Sequence, residues 1–251
     1  MELFGHTKDV IRANYFYLME RLCPSKISDA HDIPIIINNY NRLTMLKKLI
    51  DSLTSRGYTN IVILDHQSTY PPLLEWYDKC QFEVIRLPKN YGFKALWKYA
   101  PVRKRFCSDY YIYTDPDVQL SPECPADVVV RMFHILKCKR KKAFKIAPSI
   151  RITDLPDCYE HKQDAIDFES KYFKEQTKED GLTLYRAPID TTFSLYRPRI
   201  GLSRRVSLES YRMAEPYSLL HLPWYQDSAN LDEEDRYYIN SARQATMWST
   251  K

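Results

Sequence analysis

The stretch Tyr111–Leu120, YIYTDPDVQL, decides how the rest of the chain reads. A β-prone run of aromatic and branched residues stops at two aspartates, Asp115 and Asp117, with one proline between them. Adjacent carboxylates repel, so a strand that ends on two of them calls for a positive charge to sit between. Hard oxygen ligands suit a divalent cation, Mg2+ or Mn2+, which binds through one or two carboxylates plus phosphate oxygens of a substrate. Asp and Pro are also turn residues, and an Asp-x-Asp alone reads as well as a strand-ending turn. The segments around it supply the context.

Upstream, IPIIINNYNR carries the continuous apolar run Ile33–Ile37, the pattern of a strand covered on both faces. RLTMLKKLIDSLTSRG then sets Leu43, Leu46, Leu49, Ile50 and Leu53 on one helical face, with Gly57 as the stop. NIVILD reads as a second strand, PLLEWYDKC as a short helix and FEVIRL as a third strand. NYGFKALWKYA follows as a turn and helix, and DYYIYTD as the fourth strand. Strands and helices alternating over short connections predict an α/β fold, a Rossmann-like, mostly parallel sheet flanked by helices. Ligands bind such sheets at the carboxyl ends of the strands. Asn38 to Arg42, Asp65, Asn90 and the pair Asp115 and Asp117 all fall there.

Downstream, SPECPADVVVRMFHILK predicts a helix, KCKRKK its solvated end, and AFKIAPSI a strand. DAIDFESKYFK predicts a helix, and LTLYRAPIDTTFSLYR two short strands joined near Asp190. HLPWY and a charged helix, LDEEDRYYINSAR, close the chain. No repeat or linker interrupts it. The expected organisation is an extension over 1–31 and one domain over 32–251, with a first half at 32–120 and a second, C-terminal subregion at 121–251.

At 251 residues and 44% hydrophobic, the chain can bury a full core. A net charge of +5 suits an anionic ligand or a peripheral contact with a membrane surface. The six cysteines show no CxxC pair and no zinc spacing, which is the usage of free thiols in a reducing, cytoplasmic setting. No apolar run approaches the roughly 20 residues of a membrane span. KCKRKK and the 20 tyrosines invite an RNA contact, but no RNA-binding module accompanies them, and no nucleic-acid partner is expected. A nucleotidyltransferase calls for a Gly-rich phosphate loop, and the five glycines form none.

Taken together, IPIIINNYNR, IVILDHQS, NYGFKALWKYA and YIYTDPDV resemble, in order and spacing over residues 33 to 120, a glycosyltransferase of the GT-A fold. Within that fold the chain is most similar to bacterial family-2-like sugar transferases. The resemblance implies sugar transfer from a nucleotide diphosphate sugar, UDP favoured, to a glycan, lipid-linked sugar or other hydroxyl acceptor, with inversion and with Mn2+ or Mg2+. The halves then become a nucleotide-sugar half and an acceptor half. The resemblance places Asn38, Tyr40 and Arg42 on the base and ribose, where a tyrosine ring can stack on the base. It gives Asp65 to a ring nitrogen of the base, Lys94 to phosphate or base, Asp115 to ribose or a water-mediated metal contact, and Asp117 to the metal directly. His66 stands where the family carries a second acid. His221, ahead of Pro223 and Trp224, resembles the late histidine that completes the metal shell.

An inverting transfer also needs a carboxylate to take the acceptor's proton. Asp190, between a predicted strand and two threonines, is the first candidate and Glu169 the reserve; the family's usual Glu-Asp pair is absent. Arg197, Arg199, Arg204 and Arg205 either clamp diphosphate or face water or lipid. Trp224 and Tyr225 offer a sugar platform or core packing. Each candidate has a plainer structural reading: strand-end packing for Tyr40, a turn or cap for Asp65 and Asp190, a solvated head for Lys94, a packed ring for His221. The alternative to an enzyme is a non-catalytic nucleotide- or sugar-binding module of the same fold, which predicts a broken Asp-x-Asp.

Overall fold

The computed structural model describes residues 11, 14–16, 18–139, 143–200 and 209–241. Its strands are β1 (Ile35–Asn39), β2 (Ile61–Asp65), β3 (Glu83–Arg86), β4 (Tyr111–Thr114), β5 (Val118–Leu120), β6 (Ala143–Ile150), β7 (Gln176–Glu179), β8 (Leu182–Arg186), β9 (Ser194–Tyr196) and β10 (Glu209–His221). They form one sheet in the order β3-β2-β1-β4-β9-β6-β10-β8-β7, with β5 added against β10. β1, β2, β3 and β4 are mutually parallel. β9 runs antiparallel between β4 and β6, and β10 parallel to β6, so β6 and β10 share the direction of the first four strands. The mostly parallel sheet flanked by helices is the architecture expected.

The sequence explains the covering of this sheet. Along β1, Ile35 and Ile37 join one hydrophobic cluster and Ile36 the other, so both faces are packed. β2 is buried along its whole length. Side chains of this size stabilise by about 1.5–3 kcal/mol each when fully buried. β3, at the edge, has exposed ends, Glu83 and Arg86, around a half-buried middle, as an uncovered margin allows. The helix Thr44–Thr54 buries Met45, Leu46, Leu49, Ile50 and Leu53 on one side and ends just before Gly57, whose φ of +85° suits a residue without a Cβ.

That helix has no cap of its own. Glu234, from the helix Glu233–Ser241, supplies it: Leu43 N, Thr44 N and Thr44 Oγ1 donate to its carboxylate at 2.9, 3.0 and 2.9 Å. A carboxylate there satisfies otherwise orphaned N–H groups and meets the positive end of the helix dipole. The helix Glu233–Ser241 is thereby fastened over the first loop.

Three strands depart from expectation. β5 and β7 are short, and β10 extends over 13 residues that carry no simple alternation. Its pairing with β6 breaks between Met213 and Ser218, where Glu215 and Pro216 turn outward. That polar interruption conceals a long strand from a reading of periodicity. Of the N-terminal extension, residues 18–22 are helical, Phe16 packs against Phe144 and Ile200, and Glu20 accepts from Arg197 Nη1 at 3.0 and 3.1 Å.

Candidate active site

β4 delivers its two aspartates to the carboxyl edge of the sheet. Thr114 Oγ1 donates to the Asp115 carbonyl at 2.9 Å and accepts from Phe193 N at 3.1 Å, so the strand end is tied to the segment before β9. Asp115 Oδ2 accepts from Thr191 Oγ1, and Oδ1 from Asn38 Nδ2 at 3.4 Å. Burial, and then the charge of Asp117, push the Asp115 carboxyl up to about 8. The two hydrogen bonds work the other way and do not cancel this. The repulsion anticipated between these carboxylates is therefore present, and a cation would relieve it.

His221 arrives beside them through strand pairing. β5 and β10 align Val118 with His221, and Leu222 N donates to the Asp117 carbonyl at 2.8 Å. His221 Nε2 lies 3.8 Å from Asp117 Oδ2, and its ring packs on Trp224 with centroids 4.6 Å apart. Burial pulls the imidazole below the ordinary histidine range, against the charge of Asp117. The neutral form favoured by burial is the form that binds a metal. Among the described residues, no group of three or more His, Cys, Asp or Glu side chains is drawn together as a metal cluster. Mg2+ and Mn2+ do not require one, because substrate phosphates complete their shells. The oxygen pair with its raised carboxyl, and an imidazole 3.8 Å from one of them, fit such an ion.

The cleft above these groups encloses about 490 Å³ and is lined by Asp115, Asp117, Asp190, His221, Glu169 and Phe93, among others. Asp190 enters it from the segment between β8 and β9, close enough that its charge raises the Asp115 carboxyl. The buried ammonium of Lys145 donates to the carbonyl of Ile189, fixing the residue before Asp190. Glu169 is only 2% exposed and accepts from Arg212 Nη1 at 2.5 Å. Arg212 also donates to the Pro188 carbonyl from Nε and Nη2, at 3.1 and 2.9 Å, and lies 4.2 Å from the centre of the Tyr172 ring. This pair anchors the loop that carries Asp190. Glu169 is thus paired with a buried cation, and burial nevertheless pushes its carboxyl above the ordinary range.

Tyr40, Arg42, Asp65, Lys94 and Arg197 are not among the residues that line the cleft. Tyr40 donates from its hydroxyl to the Ser241 carbonyl at 3.0 Å. Arg42 is buried in an ion pair with Asp235, its guanidinium 3.8 Å from the centre of the Tyr238 ring. Both side chains fasten the C-terminal helix, and neither lines the cleft. Asp65 is fully buried, pairs with Arg86 Nε at 2.8 Å and accepts from Ser68 N at 3.2 Å. Lys94 is exposed, its ammonium 5.1 Å from the Phe93 ring centre. Of the threonines beside Asp190, Thr191 gives its hydroxyl to Asp115 instead. Arg197 is not a diphosphate clamp: it is 3% exposed, bonded to Glu20 and to the carbonyls of Ala143 and Leu136, at the amino ends of β4 and β6. Arg199 is held by its backbone N–H, 2.7 Å from the Cys107 carbonyl, while Arg204 and Arg205 lie outside the described residues. Trp224 lines the cleft beside His221 while packing with Ile150, Leu155 and Tyr159, and Tyr225 donates to Asp154 Oδ1 at 2.6 Å.

One participant had no clear signal in the sequence. His66, 1% exposed, meets Asn38 Oδ1 with Nε2 at 2.5 Å and Asn90 Oδ1 with Nδ1 at 3.0 Å. A polar chain thus runs from the Asn90 turn through His66 and Asn38 to Asp115.

Strand order, a carboxylate pair after β4 and a late antiparallel addition define a fold of the GT-A type. The mannosyltransferase PcManGT from Pyrobaculum calidifontis, solved with GDP-Man and Mn2+, shares this fold at 13% identity and a TM-score of 0.50, over 96% of this chain and 76% of its own. S. aureus TarS 1-349 is also similar, with 13% identity, a TM-score of 0.46, and 83% of this chain and 72% of its own covered. No protein-family model matches the chain, and no curated protein matches it by sequence.

Proposed function

We propose that the chain is a glycosyltransferase that moves a sugar from a nucleotide diphosphate sugar, a UDP-sugar in the first place, to a hydroxyl of a glycan or lipid-linked acceptor. The observation that carries this reading is the meeting of Asp115, Asp117, Asp190 and His221 in one cleft of about 490 Å³ at the carboxyl edge of a GT-A-type sheet. Asp117 and His221, with Asp115 behind them, would hold Mn2+ or Mg2+. Held there, such an ion would supply positive charge to offset that of a leaving diphosphate.

The chain's own residues then do the following. Arg212, Glu169 and Lys145 hold the Asp190 loop against the cleft. Asp190 accepts the proton of the acceptor hydroxyl as its oxygen bonds to the anomeric carbon. The bond from that carbon to the diphosphate oxygen breaks, and the electron pair leaves with the diphosphate. Attack from the face opposite the leaving group inverts the anomeric centre. Thr191 and Asn38 orient Asp115. Tyr172, Phe168 and Phe93 supply apolar wall on which a sugar ring can rest.

Thermal melts of the purified protein with UDP-, GDP-, CMP- and dTDP-sugars, with and without Mn2+, test the reading. A ligand that binds only the folded state raises the melting temperature. A rise with one nucleotide class, dependent on Mn2+ and followed by release of nucleoside diphosphate when an acceptor is added, is the expected result. Binding without any turnover across acceptors favours the non-catalytic module, and no rise with any donor overturns the proposal.

A further inference from the structure

The N-terminal helix carries apolar side chains on two sides, and the body of the protein covers only one. Residues 11, 14–16 and 18–22 are helical. On the inner side Phe16 packs against Phe144 and Ile200, and Glu20 accepts from Arg197 Nη1 and, at 2.5 Å, from the Tyr110 hydroxyl. Ile11, Tyr15, Leu18 and Leu22 recur at spacings of four, three and four, so they share about 60° of the helix circumference. Glu20 lies about 170° round from the middle of that stripe, which therefore points outward. Its four side chains are 54 to 67% exposed. The next most exposed large hydrophobic residues among those described, Val130 and Phe93, reach 39 and 38%. A contiguous open apolar stripe on an otherwise well-packed body marks a contact surface.

We propose that this stripe is a membrane-surface contact, an in-plane helix that seats its apolar edge among anionic phospholipid headgroups. No described helix is long and apolar enough to cross a bilayer, so the contact is with the surface alone. Charge selects the occupant. Arg21 and Lys26 are exposed at the end of the helix and just beyond it, and the exposed Lys137 reaches the same segment, its Nζ 3.3 Å from the Ile27 carbonyl. Of the carboxylates beside them, Glu20 is paired with Arg197. That leaves Asp109, half-buried under the Ser25 hydroxyl and Lys26 N, against three cations. Lys139 is balanced by Asp180 at 3.1 Å and adds nothing to the surplus. A second copy laid stripe to stripe would bring these cations against their own kind, whereas an anionic bilayer surface attracts each of them. Their long stems let the charged heads stay among the headgroups while the leucines sink past them. Arg197 bonds the carbonyls of Leu136 and Ala143, so the helix lies at the amino ends of β4 and β6, on the edge of the sheet opposite the cleft.

The inference stands apart from the proposed function. The experiment is co-sedimentation of the full chain with vesicles of phosphatidylcholine mixed with phosphatidylglycerol, against phosphatidylcholine alone, with the mass of the free protein taken from sedimentation velocity. Leu18→Ser with Leu22→Ser alters an exposed face, so it should melt as the wild type does and keep its charge. Binding to the anionic vesicles should exceed binding to the neutral ones by at least about tenfold, fall as salt rises, and drop by at least about tenfold in the double leucine variant. Arg21→Gln with Lys137→Gln leaves the stripe whole and should weaken the anionic binding by about tenfold, which keeps the test decisive if the leucine variant melts early. No binding to anionic vesicles, equal binding to both kinds, or binding undiminished in either variant overturns the inference. So does a dimer that the leucine variant dissociates, which would give the stripe to a second copy.

Discussion

The two halves of the sheet are built on different terms. β1 to β4 come from one continuous stretch, each strand parallel to its neighbour and joined through a helical crossover. The rest of the sheet is assembled from distant pieces: β9 inserts antiparallel between β4 and β6, and β5 pairs with the far end of β10. The first half presents Asn38, Asp65, Asp115 and Asp117 from strand ends. The second brings Asp190, Thr191 and His221 against them. The proposed chemistry thus lies on the seam, and substitutions on either side of it should have different signatures.

The largest effect is expected on the second side. Asp190→Asn should lower kcat by about 100- to 10,000-fold, the usual worth of a general base, and leave donor affinity within about twofold. Steady-state kinetics against direct binding separates the two; an equal loss in both would move Asp190 to the donor side. Next comes the support of that loop. Glu169→Ala leaves Arg212 as a buried cation without its partner, and should destabilise by about 3–5 kcal/mol in urea denaturation. A loss of activity at unchanged stability would instead promote Glu169 to the base.

A smaller effect with a definite sign belongs to the first side. Asp115 titrates near 8 in the folded protein, against about 4 for an unfolded aspartate. Between those values the folded state holds a proton that the unfolded state has lost, so metal-free stability should fall as pH rises from about 4 to about 8. Asp115→Asn removes that dependence. It should melt above the wild type by about 5 °C or more at pH 8 and level with it at pH 4. Equal melting at both would show that the carboxylate is not raised. The smallest change is Tyr40→Phe, which removes one hydrogen bond to Ser241 and should cost about 1 kcal/mol with little change in nucleotide affinity. A large affinity loss would return Tyr40 to the nucleotide.

The same contrast governs what could be read from the sequence. Ile33–Ile37, NIVILD and YIYTDPD announce strands locally, and their carboxyl ends locate Asn38, Asp65, Asp115 and Asp117 by topology alone. β10 did not announce itself, because Glu215 and Pro216 interrupt its pattern and its partners lie far away in the chain. Asp190 and His221 were legible as candidates from residue type and context. The roles of Glu169 and Arg42 were not, because each is set by a cation or anion that only folding supplies, Arg212 in one case and Asp235 in the other. Glu234 as the cap of a helix 190 residues earlier is legible only from contacts.

The most direct test of the seam is calorimetric titration of UDP and GDP, with and without Mn2+, into the wild type, Asp117→Ala from the first half and His221→Ala from the second. Binding of one nucleotide that requires Mn2+, weakened at least about tenfold in both variants while their melting is preserved, is the result predicted. Mn2+-dependent affinity that is undiminished in both variants would contradict the account.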